Sequence, residues 1–70
     1  MGYDDESSVI FDLAERLSDR FPQLSRDVVH DVVMAAHREF AGVRIRSFVP
    51  LLVEHDALDE LSARLRLVGP

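Results

Sequence analysis

The residues with most chemistry to offer are three histidines, a pair of arginines and several adjacent carboxylates. His30 and His37 lie seven apart in a segment of helical period, which puts them on one face but about 10.5 Å apart along the axis. That is too far for both to reach one metal ion, and Met34 between them is a poor zinc ligand. The pair reads as two exposed histidines on a polar face. His55 follows Leu51 by four residues and reads as a partly buried histidine at a helix contact, with a pH-sensitive interface as the sharper alternative. Asp4-Asp5 and Asp59-Glu60 would need a cleft to work as acid and base, and a 70-residue chain has little room for one. Ser7 or Ser8, Ser25 and Ser47 stand where helices should begin and are assigned to capping, which leaves Ser18 and Ser62 as surface residues. The sequence holds no glycine-rich phosphate loop. The expectation is a protein without catalytic residues, cofactor or metal, and so not an enzyme.

Arg44 and Arg46 flank Ile45 in the run Phe40-Ala41-Gly42-Val43-Arg44-Ile45-Arg46-Ser47-Phe48-Val49-Pro50. They could bind an anion. They could equally meet the carbonyls and negative dipole end of the preceding helix, or carboxylates such as Glu39. A salt bridge to the acids of a second copy is a third reading.

Three amphipathic segments must position these groups. Val9, Ile10, Leu13, Ala14, Leu17 and Phe21 form one stripe at about 100° per residue, with Phe11 outside it, and Pro22 ends the segment. Leu24 in the link reads as an anchor. Val28, Val29, Val32, Val33, Ala36 and Phe40 form a second stripe opened by the Ser25 cap. The β-branched residues disfavour a helix, but strand alternation fails at Val28-Val29 and Val32-Val33. Gly42 is suited to a left-handed helix stop, Ser47 to the next cap and Pro50 to the first turn after it. In the third segment Phe48, Leu51 and Leu52 form a patch that Leu58, Leu61 and Leu65 continue. Leu51, Leu58 and Leu65 are spaced by seven, as in a coiled-coil seam. This segment carries more apolar surface than two neighbours can cover.

The predicted fold is all-α, an antiparallel three-helix bundle with helices at about 8–20, 26–41 and 48–66. Residues 1–7 should form a flexible N-terminus and 67–70 a tail. Phe40, Gly42, Ile45, Ser47, Phe48 and Pro50 make the structural corner.

The formal charge is −5, from 13 acidic residues against 8 basic ones, all of them arginine. Phosphate backbones and anionic membrane surfaces repel such a domain, so neither nucleic acid nor membrane is an expected partner. A helix-turn-helix reading would need a basic recognition helix, whereas the third segment carries Glu54, Asp56, Asp59 and Glu60 against Arg64 and Arg66. The absence of cysteine excludes a disulfide and fits a cytoplasmic protein. A single core of this size supplies only about 3–5 kcal/mol, and self-association is a common remedy.

Leu17, the Phe21-Pro22 break, Val28, Val32, Phe40 and above all the run from Val43 to Glu54 resemble a known family. It is the small three-helix dimerization domain at the N-terminus of some actinobacterial arsenate reductases of the low-molecular-weight tyrosine-phosphatase type. The resemblance covers roughly Val9 to Leu65 and implies a helical association module. The family's reductase chemistry belongs to a following domain with a cysteine nucleophile, and no such activity carries over to a chain without cysteine. The expected function is homodimerization through Phe11, Met34, Leu51, His55, Leu58, Leu61 and Leu65. The alternative is an adaptor that docks a helix or ubiquitin-like surface of another protein, such as a separately encoded reductase or phosphatase. Leu17 to Ala36 faintly resembles CUE and UBA modules in this respect.

Overall fold

The computed structural model describes residues 5–68. Three α-helices, α1 (Asp5–Arg20), α2 (Arg26–Glu39) and α3 (Val49–Val68), pack against one another, with one 3₁₀ turn (Arg46–Phe48) leading into α3. The all-α bundle is the one predicted. α1 and α2 run antiparallel, since Glu6 meets His37 while Glu15 meets His30 and Arg26.

α1 starts earlier than the serine signal implies. Ser7 and Ser8 lie exposed within its first turns and are not caps. Glu6 instead sits in the first turn, where the positive end of the helix favours an acid. Residues 5–7 of the expected flexible stretch are helical, and 1–4 lie outside the described residues. Ile10, Leu13, Ala14 and Leu17 are buried, but Val9 is exposed because it lies about 90° from the centre of that row. The Phe21 N–H closes the helix on the Leu17 carbonyl at 2.9 Å, and Pro22 has no N–H to continue it. Leu24 then folds half-buried against the core, as its anchoring role required.

α2 follows its sequence signals closely. Ser25 has extended backbone, and its hydroxyl accepts the Val28 N–H at 3.1 Å. Val29, Val32, Val33 and Ala36 are buried, so tertiary packing overrides the low helix propensity of valine. The far end differs from expectation. The helix stops at Glu39, and the N–H groups of Phe40, Ala41 and Val43 donate to the carbonyls of His37, Arg38 and Phe40 at 3.1–3.2 Å. These tight three-residue bonds close the helix without a left-handed residue. Gly42 has no positive φ, and a Cβ there would meet nothing within 4 Å. Ser47 falls inside the 3₁₀ turn, whose boundary residue is Ile45, and so is not the cap of α3. Pro50 does lie in the first turn of α3.

α3 buries a different row from the one its largest residues suggest. Val49, Val53, Ala57 and Leu61 are fully buried at a spacing of four, and Leu58 and Leu65 flank them half-buried. Valine and alanine make up most of this row, and Leu61 closes it. No polar side chain is buried among the described residues.

Candidate interaction face

The corner between α2 and α3 is organised by one arginine. Arg46 Nη1 donates to the carbonyl oxygens of Phe40 (3.3 Å), Ala41 (2.9 Å) and Val43 (2.8 Å). Those carbonyls belong to the residues just past the end of α2, where helical partners run out. The same guanidinium grips Glu6 of α1 through Nε to Oε1 at 3.0 Å and Nη2 to Oε2 at 2.6 Å, a two-pronged geometry that lysine cannot reproduce. His37 Nε2 also lies 2.6 Å from Glu6 Oε2. An ionised carboxylate only accepts, so this ring nitrogen donates. Hydrogen bonds from Arg46 first and His37 second hold the Glu6 carboxyl at about 2, well below the usual carboxylate range. The Glu6 carboxylate in turn raises the pKa of Arg46.

A second clasp closes the other end of the α1–α2 seam. Glu15 accepts from Arg26 and, at 2.8 Å, from His30 Nε2. The Phe11 ring meets the His30 ring edge-on, with centroids 5.4 Å apart and planes at 69°.

The two histidines are therefore not exposed on a polar face. Each is half-buried and turned toward α1, because an α1 carboxylate lies opposite it. Of the readings for Arg46, the structure shows the contact with helix-end carbonyls and a carboxylate, with Glu6 in place of Glu39. Arg44 is exposed.

The clasped corner leads straight into an apolar face. Ile45, Phe48 and Leu51 are each 55–56% exposed, and Leu52 is 36% exposed. At 100° per residue Phe48, Leu51, Leu52 and His55 cluster opposite the buried row of α3, and the exposed His55 lies at their centre. His55 is thus not the partly buried contact residue of the sequence reading, because it faces directly away from the core. Among the other interface candidates, Leu61 is ruled out because it is fully buried within the chain itself. Leu58 and Leu65 are half spent on the core, and so is Met34, which packs inward rather than standing on an opposite polar face. Phe11 is exposed off its stripe, as read, but lies on the α1–α2 seam.

Sequence reasoning assigned Ile45 and Phe48 to the corner and did not count Leu52 in the interface. The signal that finds them is the angular separation of Phe48, Leu51 and Leu52 from the row Val49, Val53, Ala57 and Leu61.

Shallow grooves flank the helices, one at Phe11, Met34 and His37 and another at Arg38, Asp56 and Glu60. Among the described residues no histidine and carboxylate group is placed to hold a metal ion, and no helix is long and apolar enough to cross a membrane. In comparisons with known proteins, no family model, no curated protein and no solved structure matches the chain.

Proposed function

We propose that this chain is a non-catalytic association module that pairs with a second copy of itself through the outward face of α3. The observation that carries the reading is the patch of Ile45, Phe48, Leu51 and Leu52. From their fractional exposures these side chains leave about 400 Å² of apolar surface in water, within the range where a monomer's largest patch is often functional. That is about half of the ~800 Å² each partner contributes to a standard interface, close to the usual apolar share. A second core of this kind also supplies what a single small core lacks. The resemblance of Val43 to Glu54 to the dimerization domain of actinobacterial arsenate reductases supports the same reading.

Sedimentation across a concentration series tests it. A dimer that dissociates on dilution, with a melting temperature that rises with concentration, is the expected result. Leu52→Glu should convert the dimer to a monomer of unchanged helix content. A folded wild-type monomer at every concentration would sink the proposal and point to an adaptor for another protein.

A further inference from the structure

The charges around the patch go further than its existence. Resting on the self-association reading, we infer that the two copies pair α3 against α3 in antiparallel, about a two-fold axis between Leu51 and Leu52. Under such an axis each residue along the helix faces the one whose number makes the same sum with its own. Leu51 then faces the partner's Leu52, and Phe48 faces the partner's His55. Ile45, just before the 3₁₀ turn, lies at the end of the face that meets the partner's half-exposed Leu58. Leucine meets leucine at the axis, and the Phe48 ring meets the partner's imidazole on either side of it. At each rim Arg44 comes within reach of the partner's Asp59. Both are exposed, and neither forms an ion pair within the chain among the described residues.

A parallel pairing uses the same patch but stacks like on like. It would oppose Asp59 to Asp59 and Arg44 to Arg44, and like charges facing one another disfavour a complex. Sliding the antiparallel axis to His55 would set Leu51 against the partner's Asp59. The register between Leu51 and Leu52 avoids both conflicts.

The absence of native cysteine makes single-cysteine variants clean probes. A disulfide needs Cα atoms within about 7 Å. Antiparallel packing places Phe48 opposite the partner's His55, but keeps the two copies of Phe48 about seven residues apart, or ~10 Å along the axis alone. Mixing Phe48→Cys with His55→Cys and oxidising should give a mixed disulfide dimer, while Phe48→Cys alone should stay uncrosslinked. Efficient crosslinking of Phe48→Cys with itself would overturn the register while leaving the dimer in place. Monomer in sedimentation at every concentration would overturn the self-association reading as well. The charge test is independent: Asp59→Arg should weaken the dimer about tenfold by losing two rim pairs, and adding Arg44→Asp should restore it. A dimer indifferent to Asp59→Arg would also overturn the register.

Discussion

Along the α1–α2 seam each end is closed by a carboxylate gripped by one histidine and one arginine, Glu6 at one end and Glu15 at the other. Across the corner and the outward side of α3, four apolar residues, Ile45, Phe48, Leu51 and Leu52, are exposed beside an exposed histidine. The seam is finished within the chain, and its polar groups have their partners. The α3 face has none of its needs met internally. One surface closes its charges within the chain and the other leaves apolar side chains in water, and the proposed pairing rests on that contrast.

The widest break in this comparison comes from the core behind the patch. Leu61→Ala removes a fully buried side chain and should cost about 2–5 kcal/mol, enough to unfold much of a domain this small, as read by thermal melting. Leu51→Ala, ten residues earlier on the exposed face, should leave the helical signal of the dilute chain intact.

Next in size is the corner. Arg46→Met keeps the aliphatic stem but loses three carbonyl contacts and the Glu6 grip. Its melting temperature should fall by more than that of Glu60→Gln, which breaks only the exposed Glu60–Arg64 pair worth about 0.3–0.5 kcal/mol. Equal effects would mean that the clasp does not fasten the corner.

The pH dependence sharpens the clasp itself. Folding lowers the Glu6 pKa from 4.5 to about 2, so the unfolded chain binds that proton more readily than the folded one. The stabilisation is therefore fully present above about pH 4.5 and fades as the pH falls toward about 2. Glu6→Gln should flatten the melting temperature across that window, and an unchanged profile would remove Glu6 from the account.

The smallest effect is expected at Gly42. With no positive φ and no obstacle to a Cβ, Gly42→Ala should stabilise by about 0.4–1 kcal/mol through the unfolded chain. A loss would revive the left-handed stop.

How much was legible in the sequence differs from helix to helix. α2 was nearly complete, because Ser25 and the valine stripe act through neighbours three or four residues away. The start of α1 was misplaced because its first turn is fixed by Glu6, whose partners lie 31 and 40 residues along the chain. No local pattern announces such a contact. In α3 the existence of surplus apolar surface was legible, but its direction was not. The sequence reading runs Phe48, Leu51, Leu52, Leu58, Leu61 and Leu65 together as one surplus patch, whereas the structure buries the row Val49, Val53, Ala57 and Leu61 and leaves Leu51 and Leu52 facing outward. That is why the candidate set held Leu61 and left out Phe48.

The fully buried row of α3, Val49, Val53, Ala57 and Leu61, shares no side chain with the exposed set Phe48, Leu51 and Leu52. In the proposed dimer, partner choice and foldedness would therefore be inherited through separate sets of positions. Duplicated copies of a chain that pairs as proposed would be free to drift in whom they accept, even to mutual exclusion, while the bundle that carries them stays the same.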